Sequence, residues 1–529
     1  MESVRRVYPD FTTSQHNAHF REENMQKERE VNSSDQSREQ DRNKKLNEAN
    51  PIHQWRIISG ARIFFVGIGG ISMSGLAEMA SHYGYVVGGS DMHSSHRVGL
   101  LSDKGIEIFI GHDADNVKRF SPDLVVYTAA VLSGNPEIAY AKEQGVPVMS
   151  RAEFLGHLTE NFSSVINIAG THGKTTTTSM LSMILLESGL DPTVHLGAEF
   201  RPFGGTIRTG ADFSLLVSEA CEYRRSFLHF RSTTAAITNI DFDHVDCFKT
   251  IDEVIDVFAE FTDRLEDSGN LIIPAFDSNT ALCLERVRAR RAAAGRPMPR
   301  VITTGHEGDT GTAEEADVDF YAKSIEYKNG CPSFDVWHEG RSIAHIDLKV
   351  PGIHNLRNAL TAIACAALNS GTPEGMSRAL FAFGGAEGRF TVKGEYRGAT
   401  VITDYAHHPA AARATLQAAS QIPHNKTWVV FQPLTFNRTE VLFEDYVTSL
   451  LSCEHVIFAE IFSDREINPG TISSSMLAAE INNRGGRAEF YADKKAILQR
   501  LDSLVGKDDL LLFLGPEDIR DLADELRFD

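Results

Sequence analysis

From Arg56 onward the chain consists of short apolar runs, each closed by Gly, Ser or Asp and followed by a helical apolar pattern. Parallel α/β sheets produce this alternation, because strands covered by helices on both faces read as continuous apolar stretches. Three blocks separate. The first holds strands at Arg62-Ile-Phe-Phe-Val-Gly67, Tyr85-Val-Val-Gly-Gly89 and Asp123-Leu-Val-Val-Tyr127. The second opens at Val165-Ile-Asn-Ile-Ala169, continues through Phe213–Val217 and Ala235–Thr238, and contains a charged, less regular segment between Arg286 and Glu315. The third has strands at Thr400–Thr403, Trp428–Phe431, His455–Phe458 and Leu510–Phe513. Residues 1–55 are dominated by Glu, Arg, Gln, Asn, Ser and Lys and predict a disordered polar tail.

At 529 residues the chain exceeds one ordinary domain. The pattern predicts an α/β protein of three domains, at residues 56–158, 159–385 and 386–529. Lys and Arg total 52 against 72 Asp and Glu, a net charge of −20, which argues against nucleic acid or an anionic membrane as a partner. An anionic ligand must then be captured by local geometry. The six cysteines show no CxxC spacing and read as reduced thiols, not as a zinc or disulfide framework. No apolar run reaches the roughly 18 residues of a membrane span, and the expected location is the cytoplasm.

The chemistry starts at Gly170-Thr-His-Gly-Lys-Thr-Thr176, which follows a strand and precedes an apolar-patterned helix. Glycines let backbone amides approach phosphate oxygens, Lys174 brings a positive charge to the β and γ phosphates, and Thr175 offers a hydroxyl to Mg²⁺. Two further strands end in polar groups, Val217-Ser-Glu219 and Thr238-Asn239 leading to Asp243-His244. Ligands collect at the carboxyl ends of parallel strands, so Glu219 is expected to ligate Mg²⁺ and His244 a metal ion or the γ-phosphate. Asn355 and Asn358 share one helix face, where capping and packing are the plainer roles.

More words follow in order. They are Gly67-Ile-Gly-Gly-Ile-Ser-Met-Ser-Gly75, Gly89-Ser-Asp91, Glu219-Ala-Cys-Glu222, Asn239-Ile-Asp-Phe-Asp-His-Val-Asp246, His354-Asn355, Arg389-Phe390, Asp404-Tyr-Ala-His-His-Pro409, Phe431-Gln-Pro433 and Arg438-Thr439. Their order and spacing resemble the Mur ligase family from about residue 56 onward. The resemblance implies a Rossmann-like N-terminal domain for a UDP sugar, a central P-loop ATPase domain with a mostly parallel sheet, and a Rossmann-like C-terminal domain that closes over both. It implies ATP-dependent amide formation, in which the lactyl carboxylate of UDP-N-acetylmuramate is phosphorylated and the amine of L-alanine displaces phosphate, with ATP and Mg²⁺ as cofactors.

The same resemblance assigns the UDP sugar to Gly67, Gly69, Gly70, Ser72, Ser74, Ser90 and Asp91. ATP falls to Gly170, Thr171, His172, Gly173, Lys174, Thr175, Thr176, Asn355 and Asp404, and the metal to Thr175, Glu219 and His244. Lys174, His244 and Arg389 are the expected catalytic residues, and Tyr405 and Arg438 the expected holders of the amino acid. A weak homodimer is the expected self-association. Ser72, Gly388, Leu434 and Pro516-Glu517 depart from the family's usual pattern. Three alternatives stay open: a ligase adding another amino acid or a recycled peptide, a non-catalytic sugar-nucleotide-binding relative, and an NAD-dependent dehydrogenase, since Gly67-x-Gly follows a strand and Asp91 ends the next.

Overall fold

Three sheets organise the chain. The computed structural model describes residues 60–128, 131, 134–309, 318–463 and 466–528, so the expected polar tail lies outside the described residues. The first sheet comprises β1 (Arg62–Val66), β2 (Val86–Asp91), β3 (Glu107–Ile110), β4 (Leu124–Tyr127) and β5 (Val148–Ser150), in the order β3-β2-β1-β4-β5 and parallel throughout. The order reverses between β1 and β4, which opens a crevice at their carboxyl ends.

The central sheet has ten strands: β6 (Ser164–Ala169), β7 (Thr193–Phe200), β8 (Gly205–Arg208), β9 (Leu215–Glu219), β10 (Thr234–Ile237), β11 (Asn270–Pro274), β12 (Arg300–His306), β13 (Phe320–Lys328), β14 (Cys331–His338) and β15 (Arg341–Asp347). They run β15-β14-β13-β12-β11-β10-β6-β9-β7-β8, with antiparallel pairing confined to the two ends. The third sheet orders β16 (Thr391–Tyr396), β17 (Ala399–Asp404), β18 (Thr427–Phe431), β19 (His455–Phe458), β20 (Ala488–Phe490) and β21 (Leu510–Leu514) as β16-β17-β21-β18-β19-β20. Only its β16–β17 edge pair is antiparallel. The α/β class and the three sheets agree with the sequence pattern.

Two strands shift. The second begins at Val86, not Tyr85, and runs on to Asp91. The strand placed at Phe213–Val217 is Leu215–Glu219, because Phe213 instead stacks on Tyr83 with ring centroids 4.2 Å apart. The charged segment also needs correction. A helix spans Ser278–Ala293 and β12 follows, while residues 310–317 lie outside the described residues. Arg286 pairs with Asp252 and Asp256 of the helix Ile251–Asp263, so charges that read as loop form one helix's ion-paired flank on another.

The helix Lys174–Glu187 is buried on nearly all sides despite its Thr-rich start. β-Branched residues weaken helices, but here Thr178 Oγ1 donates to Lys174 O at 2.8 Å and Ser182 Oγ to Thr178 O at 2.6 Å, so these buried hydroxyls are satisfied. Its Ile184 and Leu185 join Leu360 and Ile363 of the helix Ile353–Ala367 in the core over the central sheet.

Close packing also joins the first block to the second. In the helix Arg151–Thr159, a Cβ added to Gly156 would lie 2.3 Å from the carbonyl oxygen of His229. Alanine ordinarily favours a helix over glycine by about 1 kcal/mol, but a backbone clash costs typically 1–3 kcal/mol. We therefore expect Gly156→Ala to lower the urea midpoint, and Gly99→Ala, in an exposed helix with nothing within 4 Å, to raise it. Equal shifts for the two variants would contradict this packing.

Candidate active site

The phosphate loop is held open from below. Gly170 has φ +136° and Gly173 φ +82°, and a Cβ on Gly173 would lie 2.3 Å from Asn358 Oδ1. Only glycine meets both conditions. Asn239 Oδ1 accepts from the His172 amide at 2.9 Å, and Thr238 Oγ1 donates to His172 O at 2.6 Å, so the carboxyl end of β10 clamps the loop. Lys174 Nζ turns back onto Gly170 O at 2.5 Å, Thr171 O at 3.1 Å and Glu222 Oε2 at 3.0 Å. Burial disfavours its charge, but Glu222, with Cys221 and Glu219 behind it, outweighs that and holds the ammonium above its usual range.

Thr175 Oγ1 donates to Glu219 Oε2 at 2.8 Å, and the Gly197 amide donates to the same oxygen at 2.9 Å. Two of the three expected metal ligands are therefore together. His244 takes a different partner, since its Nε2 lies 3.6 Å from Glu222 Oε1. Its backbone is left-handed at φ +54°, its Nδ1 is buried without a hydrogen-bond partner, and burial lowers its pKa. A neutral ring with an orphaned nitrogen and strained backbone suits a ligand that is yet to arrive. Glu222 was not among the expected site residues; the word Glu219-Ala-Cys-Glu222 contains it, but only the fold pairs it with Lys174.

The third block closes the cavity. A space of about 850 Å³ is lined by Lys174, Thr175, Glu219, His244 and Asn355 from the central block and by Arg389, Asp404, Tyr405 and Arg438 from the third. The guanidinium of Arg389 lies over the Tyr405 ring at 4.8 Å and donates to Gly388 O at 3.0 Å. Asp404 is buried and accepts from the Phe390 amide at 3.0 Å and Thr415 Oγ1 at 3.2 Å; burial raises its pKa against the opposing charge of Arg389. Asn355 donates to Pro351 O at 2.7 Å inside a helix whose N-cap is Gly352, so it does not serve as the cap.

Arg438 is engaged as well. Its Nε donates to Asp243 Oδ1 at 2.8 Å, and both side chains are buried, at 3% and 8% exposure. Burial pushes the Asp243 carboxyl up, but Arg438 and the neighbouring histidines hold it well below the usual carboxylate range. Nothing in the sequence pairs these two residues, which stand 195 positions apart.

The expected sugar-nucleotide residues stand apart from this cavity, at the carboxyl ends of β1 and β2. Gly67 and Ile68 amides donate to Ser90 O at 2.8 and 2.9 Å, and the Gly69 amide to Asp91 Oδ2 at 2.8 Å. Gly70 caps the following helix, where Ser74 Oγ donates to Ile71 O. Ser72, the departure in this loop, accepts from Arg151 Nη1 at 2.8 Å. The Ser90 hydroxyl is fully buried and donates to Glu137 Oε2 at 2.7 Å, so only its backbone faces the loop.

The fold and this cavity define a multidomain nucleotide-dependent ligase. The Mur ligase family catalytic domain matches residues 62–163, the Mur ligase middle domain residues 168–366, and the Mur ligase glutamate ligase domain residues 388–516. The chain belongs to the Mur ligase family. It is 39% identical to the UDP-N-acetylmuramate–L-alanine ligase of Acetivibrio thermocellus over 86% of this chain and 93% of that protein. The enzyme of the same name from Alkaliphilus metalliredigens is 40% identical over 88% and 96%. Among solved structures, UDP-N-acetylmuramate-alanine ligase from Thermotoga maritima matches with a TM-score of 0.69 and 26% identity, covering 88% of this chain and 97% of that one. A murein peptide ligase from Psychrobacter arcticus shares the fold at a TM-score of 0.62 and 24% identity, covering 89% and 100%. The dehydrogenase alternative is set aside by this membership and by Asp91, whose carboxylate is turned onto the loop's own amide.

Burial holds His354 and His408, both in the cavity wall, at a pKa of about 4. Both are neutral when folded, whereas unfolding lets them take up protons below the ordinary histidine value of about 6.5. The fold should therefore lose stability as pH falls from about 6.5 to about 4, and a Tm that stays flat across that window would contradict it. Removing one member of the buried pair, as in Arg438→Met, strands the Asp243 carboxylate and should cost about 3–5 kcal/mol in chemical unfolding. Asp243→Asn combined with Arg438→Met should recover part of that loss.

Proposed function

We propose that this chain joins L-alanine to the lactyl carboxylate of UDP-N-acetylmuramate, converting ATP to ADP and phosphate. The carrying observation is one cavity in which the phosphate loop, a Thr175–Glu219 oxygen pair and the third block's Arg389, Tyr405 and Arg438 face one another. The relatives that match nearly end to end bear the same activity in their names. Division near residues 158 and 385 into sugar-nucleotide, ATP and amino-acid domains belongs to this reading.

In this reading the amides of Gly170 to Thr176 and the helix N-terminus bind the ATP phosphates, and Lys174 exchanges its loop carbonyls for phosphate oxygens. Thr175 and Glu219 are hard oxygen donors already in contact and fit a magnesium ion, while His244 stands beside Glu222 toward the γ-phosphate side of the site. When bound, Mg²⁺ neutralises charge on the phosphates as the phosphoryl group transfers. Asn355 and Asp404 hold the adenine and ribose. An oxygen of the lactyl carboxylate attacks the γ-phosphorus and ADP leaves; the alanine amine then attacks the acyl carbon, and phosphate departs with the bonding electron pair.

Transfer of this kind requires position and charge, and no protein nucleophile. Arg389 supplies charge to the phosphoryl group. Arg438 spends its Nε on Asp243 and its Nη1 on Leu434 O at 3.4 Å, and its remaining donors are available to the alanine carboxylate. The N-terminus of the helix Ile71–His82, which the first-block loop opens and no side chain caps, holds the UDP portion.

ADP release with UDP-N-acetylmuramate, Mg²⁺ and each amino acid in turn tests the reading, with L-alanine expected to give the highest kcat/KM. A tripeptide that outcompetes L-alanine would replace it with the recycling reaction, and no turnover with any amino acid or peptide would favour the non-catalytic relative. Lys174→Ala should lower turnover by roughly 10²-fold or more, since it removes a charge-stabilising donor from the phosphates.

A further inference from the structure

Behind Tyr405, beyond the residues that line the cavity, lies a cation that the proposed reaction leaves unused. Arg520 belongs to the helix Glu517–Asp524, which starts just after β21, and its side chain is 14% exposed. It reaches the backbone at Gly388, where an added Cβ would lie 1.9 Å from Arg520 Nη1. The absence of a side chain at 388, with φ +67°, is what admits the guanidinium. From there the guanidinium lies over the Tyr405 ring, 5.3 Å from its centroid.

Two features show that this is more than a surface ion pair. The only carboxylate bridged to Arg520 among the described residues is Glu517, at 2.9 Å, and Glu517 is 61% exposed, so solvent screens most of that attraction. The Nε of Arg520 is buried with no hydrogen-bond partner. A nearly buried, weakly neutralised cation projects its field through the ring into the cavity that Tyr405 lines. The fold brings Gly388 and Glu517 together around this one guanidinium.

Resting on the proposed reaction, we infer that Arg520 is a positioning residue for the incoming amino acid: entering through the gap at Gly388, it fixes the Tyr405 ring and adds positive potential where the substrate carboxylate docks. Gly388 O also accepts from the Tyr405 amide at 2.8 Å and from Arg389, so one backbone carbonyl ties Arg520's niche to both cavity-facing side chains.

The test uses the full chain and compares wild type, Arg520→Gln, Arg520→Lys and Gly388→Ala. Arg520→Gln should raise KM for L-alanine by about tenfold, in line with loss of a partly desolvated cation–π contact, while KM for ATP and for UDP-N-acetylmuramate stays within about twofold. Arg520→Lys, which keeps the charge, should fall between. Gly388→Ala, which expels the guanidinium, should shift KM for L-alanine in the same direction and covers the case in which the Gln variant does not fold. An unchanged KM for L-alanine in the folded variants, or a matching change in all three KM values and kcat, overturns the inference. A wild type without L-alanine-dependent ADP release overturns the proposed reaction and this inference together, whereas an active wild type with indifferent variants overturns this inference alone.

Discussion

The buried ammonium of Lys174 is the constraint around which the centre of the molecule is arranged. A cation taken from water needs neutralising charge close by, and Glu222, itself 1% exposed, provides it at 3.0 Å. Placing Glu222 there commits the chain after β9 to a cramped path, visible in the left-handed Arg224 and Arg225 just beyond. Glu222 in turn faces His244, whose amide donates to Asp243 Oδ1 at 2.6 Å, and Asp243 binds Arg438. A chain of charged and polar contacts thus runs from the phosphate loop through the neutral His244 to the third block, and its charged links are buried enough to be costly if broken singly.

Backbone strain gathers along this seam. His244 at φ +54°, Phe390 at φ +49° and Thr435 at φ +67° all occupy the left-handed region, where a branched or bulky side chain costs of order 1 kcal/mol or more. Each is held by surrounding bonds. The Phe390 amide is bound by Asp404, and the Thr435 amide donates to Phe462 O at 2.8 Å as it opens the helix that carries Arg438. The strain positions Arg389, His244 and Arg438 toward one cavity, and the sheets on either side absorb it.

The sequence disclosed these parts unevenly, for physical reasons. Parallel strands buried on both faces leave apolar runs, so β6, β18 and β19 were readable to within a residue or so. The phosphate loop was legible because backbone access to phosphate demands glycine at fixed places, as Gly170 and Gly173 show. The helix Ser278–Ala293 was obscured because its Arg286 and Arg291 are matched by acids and carbonyls of another helix, an arrangement that composition cannot reveal. The partners of Lys174, Arg438 and Tyr405 were hidden for the same reason. Glu222, Asp243 and Arg520 reach them only through the tertiary fold, and residue type alone left Arg438 indistinguishable from a surface cation.

The separation between the phosphate loop and the Gly67 loop also has a structural cause. The Gly67 loop leads into the helix Ile71–His82, where a Cβ on Gly75 would lie 2.7 Å from both Thr206 Oγ1 and Ile207 Cγ1 of β8. β8 pairs with β7, and the Gly197 amide of β7 binds the Glu219 carboxylate beside Thr175. One hairpin therefore bears on both the loop expected to hold the sugar nucleotide and the carboxylate beside the phosphate loop. Arg151 reinforces it from the first block, donating to Ser72 while lying in the field of Glu219. Joining two bound substrates requires their reacting ends to meet within about 3–3.5 Å. A span set by a helix locked against a sheet edge meets that demand better than one set by loops.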